Sequence, residues 1–328
     1  MALLVIFGSV AVVFAAAFSV VFGSASIPVE DVWAALFRFD STNMNHQIIW
    51  DLRIPRTLGD ILVGAALAVA GAILQGMTRN PLADPGIMGI NHGAAFALSL
   101  SLALLPSVNH SVVVMASFTG AAFATFVVYG LTGLNHGKQT PVRLVLAGMA
   151  VGTLLSAISQ AVALHFKVGQ EATFWTAGGV AGIRMIQLGW AAPFVLLALL
   201  GAVLLSPSLS LLSLGDDAAK GLGLQVRRTK ALCMLVVLVL AGAAVSLAGP
   251  LAFVGLIIPH IVRSIVGVDY RKIIPCAMLL GSLFMLLADV ASRLVNPPHE
   301  TPIGLLFSVI GVPFFLYISR KGRRQINA

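Results

Sequence analysis

Two arginine–aspartate pairs stand inside apolar sequence at the spacing of one helical turn: Arg56 with Asp60, and Asp289 with Arg293. Side chains four residues apart meet on a helix face. An acid surrounded by hydrocarbon there either works as a proton or ion site or is held charged by its neighbour. An arginine one turn away is the simpler reason for Asp289 to stay charged, so structural pairing is expected ahead of a proton relay. The segment Arg53-Ile54-Pro55-Arg56 adds a second chemistry. Proline fixes the local backbone, and two guanidinium groups on a stiff mount suit carboxylates of a docking protein, or lipid phosphates.

Other chemistries find little support. The seven histidines are scattered through loops and spans, and no nucleophile, base and orienter occur as a set. His260, directly after Pro259, reads as a packing or hydrogen-bonding residue and not a metal ligand. Gly137-Lys138-Gln139-Thr140 comes nearest to a phosphate loop but lacks its spacing and its preceding strand. Cys233 and Cys276 lie in apolar runs, where a thiol is a small hydrophobe. The chain is therefore expected to be no enzyme, and to hold neither a metal nor a cofactor of its own.

The elements that carry these residues belong in lipid. Of 328 residues 59% are hydrophobic and 10% charged, too little polarity to coat a water-soluble globule of this length. A span needs roughly 20 apolar residues, and the runs are continuous rather than alternating, which selects helices over a barrel. Spans are expected at about 2–22, 57–77, 87–105, 111–133, 141–165, 188–206, 229–248, 251–266, 273–295 and 302–319. The eighth is short and bounded by prolines, a broken or tilted helix. The fold class is thus an all-α polytopic membrane protein of about ten transmembrane helices, a single domain over 1–328.

An even count puts both termini on one side, and Lys and Arg decide which. Alternate loops in phase with the tail hold Arg79, Lys138, Arg143, Lys220, Arg227, Arg228, Lys230, Arg263, Arg271 and Lys272. With Arg320, Lys321, Arg323 and Arg324 they account for 14 of the 20 basic residues, so both termini are expected in the cytoplasm. The opposite side has Arg38, Arg53, Arg56, Lys167, Arg184 and Arg293. The net charge of +8 then reflects topology and contact with membrane lipid, not nucleic acid. The first run lacks a positive leader and is long for a signal peptide, so it reads as a span.

Two loops stand out. One is external, about 23–56, with room for a short surface helix around Val32–Phe37. The other is cytoplasmic, about 206–228, centred on Leu214-Gly215-Asp216-Asp217-Ala218-Ala219-Lys220-Gly221-Leu222-Gly223. Asp216 or Asp217 can cap a short helix ending at the glycines, with Leu214, Ala218 and Leu222 on one side as knobs for a partner's groove.

Read in order, these stretches resemble the FecCD-type permease subunits of ABC importers for iron-siderophores, haem and cobalamin. The matching segments are Arg53-Ile54-Pro55-Arg56-Thr57, Gly64-Ala65-Ala66-Leu67-Ala68 with Gly71-Ala72 and Gln75, and Arg79-Asn80-Pro81-Leu82-Ala83-Asp84-Pro85 with Gly89. Further along come Leu214-Gly215 through Leu222-Gly223, Phe253-Val254-Gly255-Leu256-Ile257-Ile258-Pro259-His260 with Arg263, and Ala288-Asp289 with Arg293. Glu300-Thr301-Pro302-Ile303-Gly304 and Gly311-Val312-Pro313-Phe314 complete the series, from about Asp51 to Lys321. A Gly-Ala pair alone is weak, since small residues commonly let membrane helices approach; the ordered series is strong.

The resemblance implies a type II importer permease fold in the bacterial cytoplasmic membrane, working as a homodimer or paralogous heterodimer. Its partners would be a second permease, two cytoplasmic ATPase subunits, which carry the ATP and Mg, and an extracellular substrate-binding protein. On that resemblance Arg53, Arg56 and Arg293 receive acids of the binding protein, and Leu214–Gly223 sits in a cleft of the ATPase. Asn80, Pro81, Pro259, His260, Asp289, Glu300, Pro302 and Gly304 are structural motif positions. Ferric siderophore leads as cargo, with haem or cobalamin as alternatives. An ion-coupled secondary transporter using Asp289 is the rival from another class, weakened by the lack of internal symmetry.

Overall fold

The computed structural model describes residues 1–23, 27–105, 109–133, 141–297 and 299–326. Gly137–Thr140, the segment nearest to a phosphate loop, lies outside them, as does Lys138 of the charge count. Among the described residues all regular structure is helical. The helices are α1 (Ala2–Val21), α2 (Val29–Phe37), α3 (Met44–Ile48), α4 (Ile54–Thr78), α5 (Ile90–Leu104), α6 (His110–Gly133) and α7 (Pro141–His165). Then follow α8 (Gly169–Thr176), α9 (Met185–Ser213), α10 (Asp216–Gly221), α11 (Val226–Ala248), α12 (Val254–Val266), α13 (Tyr270–Leu294) and α14 (Ile303–Ile326).

Among the described residues seven helical runs are long and apolar enough to cross a membrane: α1, Met44–Thr78, and the runs within α6, α7, α9, α11 and α13. Three shorter apolar helices, Ile90–Leu104, Val254–Val266 and Ile303–Leu316, fall where further spans are expected. Two expected boundaries shift. The second span begins well before Thr57, because a π-helical turn over Ile49–Arg53 joins α3 to α4 with no break. Pro55 sits at the start of α4 directly after this π-helical turn, so the helix runs through it instead of a loop ending there. The sixth expected span, α9, runs through Pro193 and Pro207 to Ser213, so the connection expected on the cytoplasmic side opens at Leu214 and not near Ser206.

The packing is built around α4. The apolar window of its run is 83% buried, against 11% for α1, so α4 is a central post and α1 a lipid-facing outrigger. Helices α9, α11, α12 and α13 all pack on α4. Two of these approaches are backbone on backbone. A Cβ placed on Gly64 would strike the carbonyl of Gly281 on α13, and one on Gly71 would strike the carbonyl of Gly255 on α12. Gly93 of α5 and Gly120 of α6 face each other in the same way. In lipid, helices gain nothing from expelling water, so close van der Waals approach at small residues supplies the adhesion that a soluble core takes from hydrophobic burial. Ser282 adds a hydroxyl donated to the Ile61 carbonyl, 2.8 Å, across the α4–α13 seam.

Helix α12, expected as a broken or tilted span, is short and unbroken. Its N-cap, Phe253, has φ +70 and its C-cap, Gly267, φ +80, so sharp left-handed turns bound thirteen residues with Pro259 inside. The external loop folds on a small cluster of its own, Ile27, Val32, Ala35 and Ile49. His46 is buried there and its Nδ1 accepts the Asp40 N–H at 3.0 Å.

Gly64→Leu should separate α4 from α13 and lower the thermal unfolding midpoint of the purified chain by the equivalent of about 1–3 kcal/mol or more. Gly130→Ala, which meets nothing within 4 Å, should leave it unchanged or slightly raised.

Candidate functional site

The acids and arginines singled out above converge at one end of α1, α4 and α13. Asp289, wholly buried on α13, is the centre. Arg293, one turn on, donates from Nη2 to Asp289 Oδ2 at 2.7 Å, as the spacing predicts. Arg56 does not pair with Asp60, as that spacing also predicts. Its guanidinium crosses to α13 instead, where Nη2 donates to Asp289 Oδ1 at 2.7 Å and Nε reaches both carboxylate oxygens at 3.0 Å. Its remaining nitrogen, Nη1, donates to Glu300 at 2.9 Å. A helix-surface rule fails here because Arg56 faces the interior, and two carboxylates on neighbouring elements satisfy its planar fork better than one acid on its own helix.

The same arginines close the end of α1. The last carbonyls of any helix lack intrahelical donors and carry the negative end of its dipole. Arg53 Nη1 donates to the carbonyls of Val20 and Val21, both at 2.7 Å. Arg293 Nη1 donates to the carbonyls of Ser19 and Phe22, at 3.0 and 2.9 Å, and its Nη2 to Ser19 Oγ at 2.7 Å. Ser19 and Thr57 hydroxyls meet at 3.1 Å.

Arg53, Arg56 and Arg293 are therefore 5%, 9% and 3% exposed, and fix helices to one another. Sequence reasoning placed Arg53 and Arg56 at the close of an external loop, and Arg56 and Arg293 also on helices beside Asp60 and Asp289. The structure corrects the first placement: Arg53 and Arg56 lie in continuous helix and turn inward. The part of the cluster nearest to solvent is Glu300, with a third of its side chain exposed. Nothing in the spacing pointed to Glu300 as Arg56's partner, since the two are 244 residues apart.

The rival ion-coupled role for Asp289 meets a physical objection. Both its oxygens receive guanidinium donors, so a coupling cation would have to displace two buried arginines. Among the described residues no group of three metal-binding side chains comes together.

At the far end of the molecule lies the turn Leu214–Gly223, with a short helix inside it. Gly215, φ +118, starts α10 without a side-chain cap. Asp216 and Asp217 thus occupy the first turn, where they complement the dipole, and do not cap it as expected. Asp216 accepts from Lys230 Nζ at 2.6 Å, tying α10 to α11. Ala219 is the buried anchor, while Leu214 and Leu222 are 64% and 62% exposed, with Ala218 exposed between them. Leu214, the C-cap of α9, and Leu222, the C-cap of α10, flank a helix of only six residues that Gly215 separates from α9, so they are exposed apolar side chains but not the single i, i+4, i+8 helix face expected.

The motif positions form seams. Asn80 Oδ1 accepts the Leu82 N–H at 3.0 Å, turning the chain at Pro81 after α4. Asp84 likewise accepts from the Gly86 N–H at 2.8 Å, and burial pushes its carboxyl up to about 6. Gln75 ties α4 to α12 at two points: its Nε2 donates to the Gly255 carbonyl at 3.0 Å and its Oε1 accepts from Arg263. His260, next to Pro259, packs edge-on against Phe314 of α14 with ring centroids 5.7 Å apart. Pro302 opens the first turn of α14, and Gly304 lies where a Cβ would sit 3.0 Å from the Ala177 carbonyl.

Comparison with known proteins gives this arrangement a context. Residues 11–321 match the model of the FecCD transport family. The iron(3+)-hydroxamate import system permease protein FhuB of Bacillus subtilis is 51% identical over 310 residues, which cover 94% of this chain and 80% of FhuB. The iron-uptake system permease protein FeuB of the same organism is 44% identical, covering 94% and 92%. The cobalamin import system permease protein BtuC of Halobacterium salinarum is 39% identical, covering 90% and 79%. A solved metal-chelate type ABC transporter in an inward-facing conformation superposes with a TM-score of 0.84 at 28% identity, covering 98% of this chain and all of the other.

Asp289→Asn should destabilise the protein by about 3–5 kcal/mol, because it leaves two buried guanidinium groups sharing one neutral side chain. Lys220→Ala, which removes the largely exposed pair with Asp217, should have no measurable effect. Thermal unfolding of the two variants in the same detergent separates these outcomes.

Proposed function

The chain belongs to the FecCD transport family, and from that membership we propose that it is the permease subunit of an ATP-driven importer of ferric siderophores. The observation that carries the cargo is 51% identity, over nearly the whole chain, to a permease named for iron(3+)-hydroxamate import. FeuB, named for iron uptake, supports it at 44%. Haem and cobalamin remain the alternatives because relatives named for each cover a similar share of the chain.

In this reading two permeases enclose the path for the chelate. Thr153 and Gln160 on α7, and Ser308 on α14, are exposed on otherwise apolar helices. Polar groups are costly against lipid, so these faces turn toward the second permease and the cavity between the two. A chelated metal arrives with its coordination sphere filled, so the path needs shape and hydrogen-bonding groups, not metal ligands.

Power enters through Leu214–Gly223. The exposed Leu214 and Leu222 fill a groove of the ATPase, and Ala219 and the Asp216–Lys230 pair make α10 a rigid lever against α9 and α11. ATP, with its Mg, is bound and hydrolysed by two partner subunits. Their closure moves α10 and switches the cavity between outward-open and inward-open forms.

At the outer face the binding protein docks over the arginine cluster. An acid on one of its lobes would take the place of Glu300 on Arg56, a charge-for-charge exchange that keeps the buried guanidinium partnered. Glu300→Gln should therefore tighten docking several-fold at low salt, with the gain shrinking as salt screens the partner's acid. Unchanged affinity would remove Arg56 from the docking site.

Leu222→Glu should leave folding intact and abolish coupling, seen as at least a tenfold fall in uptake with ATP hydrolysis retained. For the cargo, cells lacking and carrying this gene are compared for uptake of labelled ferric hydroxamate, haem and cobalamin. Selective gain of ferric hydroxamate is expected, and gain of either other compound alone would overturn the assignment. Uptake that survives ATP depletion with the ion gradient intact would overturn the importer itself.

A further inference from the structure

Helix α11 carries its charge at the wrong end for its own stability. Val226 opens it, Arg227, Arg228 and Lys230 follow within its first two turns, and its first turn holds no acid. The N-terminus of a helix is the positive end of its dipole, so cations there are disfavoured. Gln225, in the N-cap position, makes no side-chain hydrogen bond to the unpaired N–H groups. Lys230 is answered by Asp216 at 2.6 Å and Lys220, on α10, by Asp217 at 3.5 Å. Both arginines are exposed, and among the described residues neither has an acid partner.

Basic residues beside a span are what membrane topology asks for, but topology does not ask them to converge. Here they do. Lys220, Arg227 and Arg228 line one open groove of about 620 Å³, with Leu224 and Ala231 as its apolar part, and neither Asp216 nor Asp217 lines it. An apolar stripe continues from it along α11. Leu232 and Leu235 are 42% and 55% exposed, and with Arg228 they fall at i, i+4 and i+7 on one helix face. Helix α11 is long and apolar enough to cross a membrane, so this face meets lipid with the arginines at its end. Side chains on a helix tilt toward its N-terminus, which carries the two guanidinium groups away from the apolar layer to the level of headgroups.

We propose that this groove binds an anionic phospholipid, its phosphodiester between Lys220, Arg227 and Arg228 and an acyl chain along Leu232 and Leu235. Guanidinium forks match phosphate oxygens, and the headgroup charge answers both the arginines and the positive end of α11. A free phosphate meets the charges and leaves the stripe bare; a phospholipid meets both. The bound lipid bridges α10 to α11 beside the Asp216–Lys230 pair, so the mount of α10 includes a molecule of the surrounding leaflet. This site requires only that the chain sits in a membrane, and holds whatever its cargo and power source.

The test titrates the full-length chain, purified in detergent, with phosphatidylglycerol or phosphatidylcholine of the same acyl chains and counts retained lipids by native mass spectrometry. One phosphatidylglycerol should be held at least tenfold more tightly than phosphatidylcholine. Arg227→Gln with Arg228→Gln should weaken it by about tenfold or more, and Leu232→Ala with Leu235→Ala severalfold. Arg271→Gln with Lys272→Gln removes the same charge from another exposed basic pair and should leave retention unchanged. All these positions are exposed, so the variants should fold, which circular dichroism checks. Equal retention of the two lipids, unchanged affinity in the Arg227 and Arg228 variant, or an equal loss in the Arg271 and Lys272 variant would overturn the proposal. Displacement of the lipid by glycerol phosphate would make the groove a site for soluble phosphate and overturn it as well. So would an arginine variant that loses a copurifying protein while the wild type shows no preference for the anionic lipid.

Discussion

One carboxylate that cannot reach water organises one end of this molecule. Removing a charge from solvent costs several kcal/mol, and the cost is offset only where opposite charges and hydrogen bonds meet it with good geometry. Asp289 meets that condition by drawing Arg293 from its own helix and Arg56 from α4. The guanidinium groups have more donors than Asp289 can use, and the surplus goes to Glu300 and, through Arg293, to the end of α1. Each group is placed by the needs of the others. Loss of one partner leaves a buried charge unmet, which is why such a network specifies an arrangement more strictly than it stabilises it.

The rest of the bundle follows from α4 being trapped on several sides. Toward α13 and α12 it offers glycines, so that backbones touch, and at its inner end it offers Gln75, held between the Gly255 carbonyl and Arg263. Polar seams at both ends with a dry contact of small residues between them suit a helix that neighbours can tilt against but not detach. The short helix α10 and the arginine cluster are far apart in the chain, yet both attach to helices that pack on this post: α9 and α11 at one end, α13 at the other.

Much of the architecture could be read in the sequence because a bilayer imposes a length. Continuous apolar runs located the long helices, and Pro259 marked the short one. The boundaries went astray where local rules met tertiary packing. Pro207 reads as a helix end but lies inside α9, and Pro55 reads as a loop stiffener but sits in the first turn of α4. At the site, the one-turn rule gave Asp289–Arg293 correctly and failed for Arg56–Asp60. Spacing says which side chains can meet on one helix, not which way that helix is turned. Asp289 and Arg56 are 233 residues apart, and no local pattern records such a pairing. The exposed Leu214 and Leu222 were legible for the opposite reason, since their meaning is local.

The way α1 ends has a consequence for how the chain is made. Its terminal carbonyls are closed by Arg53, about 30 residues later, and by Arg293, 274 residues from Ser19. A ribosome delivering the chain from its N-terminus inserts this helix first and its last ligand almost at the end. For most of synthesis α1 lies in the bilayer with half of its lock missing. Arrival of α13 is then the event that fixes α1, so assembly joins helices far apart in the polypeptide, and a product cut short before α13 would betray itself by an unlatched α1.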